Sequence, residues 1–173
     1  MKEEHLDAVG DYVFEEITLQ QFLERYPVDP RQEKEHVCDL LRNAIATRNE
    51  QEVEAAELLG FKFGFTPSCL PLLNALLVED WHINHEDIAR ALQEMKDPSS
   101  IEALYQAAQM QFSYLDYDEA FALAVKCCWA LGDINSDDAD AKLRELTKLD
   151  NPIKAGAARE QLERRDRPVR TAP

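Results

Sequence analysis

Glycine is scarce, at 5 of 173 residues, and few stretches alternate apolar and polar side chains at period two. Both shortages point away from strands, and the frequent Leu and Ala point toward helices. No apolar run approaches the 18 or so residues that a membrane span needs. The opening Met1-Lys2-Glu3-Glu4 has none of the apolar character of a signal peptide, so the expected location is the cytoplasm. No CxxC pair occurs, which argues against a zinc ribbon or a thioredoxin-type site. The four cysteines, Cys38, Cys69, Cys127 and Cys128, are expected to be reduced core thiols.

Positive charge is also in short supply. The chain holds 19 Lys/Arg against 34 Asp/Glu, a formal net charge of −15. By region the balance is −8 over residues 1–62, −10 over 63–150 and +3 over 151–173. A field of this sign repels nucleic acid and anionic membranes, whose phosphates need Lys and Arg to displace counterions. It attracts basic partners and speeds their association. The same charge also serves plain solubility.

What the sequence does have is legible helix punctuation. Asp29-Pro30, Thr66-Pro67, Asp97-Pro98 and Asn151-Pro152 each place a capping side chain before a proline. The cap oxygen accepts an orphan backbone N–H, and proline at the next position has no N–H to lose. Asn49, Asn84 and Ser136 are further cap candidates, and Thr18 with Gln21 has capping-box spacing. These signals predict helices near 18–26, 30–47, 50–62, 67–78, 85–96, 98–110, 118–132, 137–148 and 152–165. Residues 1–17 are ambiguous between a short helix and extended chain. The basic end, 166–173, is expected to be a flexible tail.

Two segments repeat. Ala91-Leu92-Gln93-Glu94-Met95-Lys96-Asp97-Pro98 ends one helix and starts another. Ala130-Leu131-Gly132-Asp133-Ile134-Asn135-Ser136-Asp137 does the same 39 residues later. The pair around Leu149-Asp150-Asn151-Pro152 continues the rhythm. This pattern resembles the HEAT-repeat family in its short bacterial form. The resemblance is clear over about 85–165 and weaker over 29–84; it departs from the family pattern in the long inter-helix loops of 64–96 and 97–133 and in the uneven spacing of the aligned prolines. It implies an all-α fold, a right-handed α-α superhelix of about nine helices in four pairs. The expected organisation is a single domain over 1–165. Residues 1–28 would be an N-terminal cap, with repeats near 29–63, 64–96, 97–133 and 134–165. Such repeats bury a continuous core only by stacking, and leave a concave surface.

By that resemblance, the second helix of each repeat lines the concave face. On helix 118–132, Phe121, Val125, Cys128 and Leu131 form an apolar stripe, widened by Leu123, Cys127 and Ala130. Ala122, Lys126, Trp129 and Asp133 face away. Aligned positions add Asp87, Arg90 and Glu94, then Glu54 and Glu57. The expected concave partner-binding row is therefore Glu54, Glu57, Asp87, Arg90, Glu94, Lys126, Trp129 and Asp133. Trp129 has a competing reading as a core residue. A second candidate surface is a loop edge made by Glu79, Asp80 and Trp81 and by Tyr114, Asp116, Tyr117 and Asp118. Rigid aromatics supply contact area there, and carboxylates pair with Lys or Arg. The competing reading folds these aromatics back onto the helices.

Catalytic and metal chemistry finds little support. Asp133, Asn135 and Asp137 begin like a calcium loop, but Asp138 stands where glycine is required and Arg144 where a bidentate Glu is required. Asp137, Asp138 and Asp140 are first-turn helix acids. His82 and His85 sit beside Asp80, Glu86 and Asp87, but one falls in a loop and the other at a helix start, so no metal site is assigned. Arg164, Arg165, Arg167 and Arg170 suit a helix C-terminus. The expectation is a non-enzymatic protein-binding scaffold with no cofactor, monomeric when unbound. It would be an immunity or inhibitor protein that neutralises a basic toxin domain, and would bind neither nucleic acid nor membrane. The alternatives are a general HEAT-repeat adaptor or assembly factor, and a HEAT-type lyase or metal-dependent enzyme.

Overall fold

Each sequence cap has a definite fate in the fold. The structure, a computed structural model, describes residues 1–115, 117 and 119–166; the expected tail lies outside these except for the backbone of Asp166. Among the described residues there are ten α-helices and no strand. They are α1 (Glu3–Val13), α2 (Leu19–Arg25), α3 (His36–Thr47), α4 (Glu50–Phe63), α5 (Leu70–Leu76), α6 (His85–Met95), α7 (Ile101–Gln109), α8 (Ala122–Ile134), α9 (Asp137–Leu146) and α10 (Pro152–Asp166). Thr18 and Gln21 form a reciprocal capping box on α2. Asn49 accepts the Glu52 N–H at the start of α4, Ser136 caps α9, and Asn151 accepts two N–H groups of α10. Asp97 caps a 3-10 turn that runs into α7.

Several expectations need correction. Thr66 makes no side-chain cap bond, and the helix predicted from 67 opens as a 3-10 turn, with α5 starting only at Leu70. The helix predicted over 30–47 starts only at His36. Asp29 spends its carboxylate on the Arg31 N–H and guanidinium and on Gln32, which makes a turn instead of a helix start. The helix predicted from 118 starts at Ala122, and Phe121 before it adopts a left-handed backbone, φ 53°. Asn84 does not cap α6 with its side-chain oxygen: its amide reaches across to Glu57 instead. The ambiguous N-terminal segment is helical, as α1.

The chain divides into two compact units, Met1–Ala91 and Leu92–Pro173. In the first, α1 packs on α2 and α4, and α3 on α4 and α5. Val9, Phe22, Leu41, Val53, Leu59, Leu73, Leu76 and Ile88 are fully buried there. Phe22 stacks between Tyr12 and Tyr26, each ring centroid 4.8 Å away. In the second unit, α7 packs on α8 and α9, and α10 on α8 and α9. Its core includes Leu104, Leu131, Leu143 and Leu146. Gly132 is the close-approach point of α8 and α10: a Cβ there would lie 2.8 Å from the Gln161 side chain.

The cysteines do not all stay reduced. Cys38, in the first turn of α3, is disulfide-bonded to Cys69, 31 residues on, with Cα atoms 4.9 Å apart. The packing of α3 against α5 and its preceding 3-10 turn creates this pair, and a sequence without CxxC gives no hint of it. Cys127 and Cys128 are buried thiols. Burial pushes the Cys128 thiol up to about 12, so it is chemically quiet. No described helix is long and apolar enough to cross a membrane.

Candidate functional site

Helix α4 begins with three acids in its first five residues, Glu50, Glu52 and Glu54, and adds Glu57. Acids near a helix N-terminus are favoured by its dipole, but their fates differ. Glu52 is buried and pairs with the Met1 amino group and Asn43. Glu54 is exposed. Glu57, one turn later, is only 3% exposed because it points toward the start of α6. There Asn84 Nδ2 donates to Glu57 Oε2 at 2.9 Å. Glu57 Oε1 and Asn84 Oδ1 are buried and have no hydrogen-bond partner.

These groups help to wall a cleft of about 430 Å³. Val13 and Phe14 come from α1 and the residue after it. Glu54, Glu57, Leu58, Phe61 and Lys62 come from α4, and Asn84, Asp87 and Arg90 from the start and body of α6. Phe14 is 72% exposed. The Arg90 guanidinium lies over the Phe61 ring, 4.4 Å from its centroid. Burial, with the Asp87 carboxylate adding to it, pushes the Glu57 carboxyl up to about 9; the Asn84 hydrogen bond opposes this and Glu54 adds a little. At neutral pH Glu57 therefore carries its proton. A neighbouring groove of about 300 Å³ shares Phe14, Glu54 and Leu58, and adds Asp7, Asp11 and Glu16.

The first unit thus brings together Glu54, Glu57, Asp87 and Arg90, half of the predicted concave row. The other four belong to the second unit. Glu94 is exposed near the end of α6, and Lys126 is half-buried on α8. Trp129 is 38% exposed, so it is not the core residue of the competing reading; the Arg164 guanidinium lies 5.4 Å from its ring centroid. Asp133 accepts from Gln93 at 2.8 Å and pairs with Arg164. Burial raises the Asp133 pKa, but the bonds from Gln93 and Arg164 outweigh it and hold the carboxyl below its usual value.

The predicted loop edge is partly self-satisfied. Trp81 Nε1 donates to the Glu79 carboxylate at 3.1 Å, and its ring is half-buried against His82. Asp80 is exposed. Tyr114 is half-buried near Phe112, while Tyr117 is 82% exposed. Asp116 and Asp118 lie outside the described residues.

His82 and His85 stack with centroids 4.4 Å apart. His82 Nε2 donates to the Leu76 carbonyl, and its Nδ1 accepts the Asn84 N–H. His85 Nε2 donates to the Glu79 carbonyl. Burial pulls both pKa values down, that of His85 to about 4. They are neutral fasteners of the α5–α6 connection. Among the described residues no group of three or more His, Cys, Asp or Glu is arranged to hold a metal ion.

Six cleft residues were not named as site residues from the sequence: Val13, Phe14, Leu58, Phe61, Lys62 and Asn84. Phe14 lay in the segment whose structure was ambiguous, and Asn84 read as a cap. The HEAT spacing picked out Glu54, Glu57, Asp87 and Arg90 but carried no sign that Glu57 would be buried. No protein-family model, curated protein or solved structure matches the chain.

Proposed function

We propose that this chain is a non-catalytic binding protein whose acidic first unit captures a basic protein. One observation carries the reading. Glu54 and Asp87, with the protonated Glu57 and the cations Lys62 and Arg90, line one cleft beside an exposed Phe14, within a unit holding 8 Lys/Arg and 19 Asp/Glu, net −11. The adjoining groove adds Asp7, Asp11 and Glu16. An aromatic among carboxylates offers desolvated contact area together with electrostatic steering. The partner we favour is a basic toxin domain, which makes the protein an immunity or inhibitor protein acting as a monomer in the cytoplasm. We further propose that the helices follow a HEAT-like superhelical plan. The packing of α3 on α4, α7 on α8 and α9 on α10 supports that arrangement.

The test is a native pull-down from source lysate at low salt, followed by salt-titrated affinity for the main basic hit. A single partner held at nanomolar strength is expected, weakening as salt screens the attraction. Charge reversal by Glu54→Lys with Asp87→Lys is expected to slow its association at least tenfold and flatten the salt dependence. An association rate indifferent to both would overturn the reading.

A further inference from the structure

Helices α1 and α4 pack side by side and leave the open groove of about 300 Å³ between them. Residues four apart lie on one side of a helix. Leu6, Gly10 and Phe14 follow that spacing along α1 and the residue after it, and Gln51, Ala55 and Leu58 make the matching row on α4. All six line the groove. An apolar helix row normally packs against another element, yet here Phe14 is exposed and Leu6 and Leu58 are only half-buried. The row also has a hole in it. A Cβ on Gly10 would meet nothing within 4 Å, so open space stands between the larger Leu6 and Phe14.

Charge flanks the row. Asp7, Asp11, Glu16 and Glu54 complete the sides of the groove, and no Lys or Arg lines it. Asp11 is paired with Arg25. Asp7, Glu16 and Glu54 are exposed, and among the described residues they have no hydrogen-bond or ion-pair partner. The groove is therefore open to solvent, apolar along its floor and negative along its rim.

We propose that the α1–α4 groove is the seat of a basic amphipathic helix of the partner, which sets one bulky apolar side chain over Gly10 and its Lys or Arg residues against Asp7, Glu16 and Glu54. The inference rests on the binding-protein reading and says which element of the partner docks. Two helices packed side by side offer a third a furrow, which it fills with apolar residues at i, i+3, i+4 and i+7. The space over Gly10 takes a knob, as the holes of a coiled coil do, and the rim carboxylates pair with basic residues beside the apolar seam. An extended strand fits poorly. Its side chains alternate between opposite faces, and the backbones of α1 and α4 are bonded within their own helices, with no sheet edge for a strand to join. A second copy of the first unit fits poorly too, because it carries −11 and brings like charge to the same rim.

The experiment needs no natural partner. The probe is a capped synthetic peptide of about five helical turns, with leucine at i, i+3, i+4 and i+7 and lysine elsewhere. It is titrated into the intact chain while the backbone amides of α1 and α4 and the Phe14 ring are followed by NMR. Micromolar binding is expected, with the shifts concentrated on Leu6, Gly10, Phe14, Ala55 and Leu58. A peptide of the same composition in scrambled order keeps the charge and loses the apolar face, and is expected to bind at least tenfold more weakly. Gly10→Leu fills the hole. Leucine is a better helix former than glycine and has room there, so the fold is expected to hold while peptide affinity falls at least tenfold. Asp7→Asn with Glu54→Gln leaves the hole open, and is expected to weaken binding several-fold at low salt and little at high salt. Equal binding of the scrambled peptide, or affinity indifferent to Gly10→Leu, overturns the helix seat. So does the absence of shifts at hundreds of micromolar peptide. Groove signals that move with protein concentration alone put a second copy there and overturn the assignment as well. Each of these failures leaves the acidic-face reading standing, because that depends on the salt and charge-reversal measurements on the partner.

Discussion

The two units of the chain solve the burial problem differently. The first, Met1–Ala91, buries four ionisable groups, Glu52, Glu57, His82 and His85, and carries a net charge of −11. The second, Leu92–Pro173, has 11 Lys/Arg and 15 Asp/Glu, net −4, and its buried polar residues are the neutral Ser100 and Gln161. The first unit also holds a disulfide, a capping box, a histidine stack and a triple aromatic stack. The second is held by an aliphatic core between helix pairs, with a partly exposed Lys142–Glu102 ion pair and a largely buried Arg165–Asp140 pair. Burying ionisable groups costs stability unless they are neutralised or paired. That contrast is why the proposed binding face is put in the first unit.

The comparison is open to breakage at several points. Both cores are expected to be equally intolerant of truncation. Leu59→Ala in the first unit and Leu131→Ala in the second, both fully buried, should each lose about 2–5 kcal/mol, read from urea unfolding. A loss well under 1 kcal/mol at either would show that its unit has no tight core. Reduction should separate the units. Opening the Cys38–Cys69 bridge frees a loop of 31 residues, which on chain-entropy grounds removes about 3–4 kcal/mol. Hydrogen exchange with and without dithiothreitol should quicken in α3 and α5 and leave α8 to α10 unchanged. Uniform quickening would deny the units separate stability.

The largest pH response should lie in the first unit. Folded Glu57 holds its proton up to about pH 9, whereas the unfolded carboxyl releases it near 4.5. Between those values the folded state binds more protons, so stability falls as pH rises. His85 acts from the other side. Its folded pKa is near 4 against 6.5 unfolded, so its contribution is present above 6.5 and is lost as pH falls toward 4. Glu57→Gln is expected to stabilise the protein by on the order of 1–3 kcal/mol at pH 7, with a larger gain at pH 8.5 than at pH 5.5. Melting curves at three pH values decide it; a variant that tracks the parent throughout would mean Glu57 is ionised in the fold.

The smallest effect belongs to the surface of the second unit. Arg164→Ala removes a half-exposed partner of Asp133 and the cation over Trp129, and should cost less than about 1 kcal/mol. Trp129 fluorescence should shift, since its ring loses that cover. A loss of several kcal/mol would put Arg164 among the core contacts and erase the contrast between the units.

How far the sequence reaches differs residue by residue. The starts of α4, α9 and α10 follow from local signals, because a cap oxygen and its N–H lie two or three residues apart and need nothing else. The turn at Asp29 was missed because Arg31 competes for the same carboxylate that would have capped a helix. The apolar face of α8 was legible in part: Cys127, Cys128, Ala130 and Leu131 are buried, but Phe121 and Val125 are half-buried, and Trp129 is exposed although its nearly all-apolar helix favoured a core position.

By itself the sequence determined the all-helical class, most helix starts, the sign of the charge and the face of α4 and α6 that carries carboxylates. These depend on composition or on contacts within a few residues. The tertiary structure alone decided the Cys38–Cys69 bridge, the burial of Glu57 and the loss of Asn84 from its capping role. Each of those joins residues 27 or more positions apart. Such a meeting depends on how helices pack, and a local pattern carries no record of which distant side chain will remove its water.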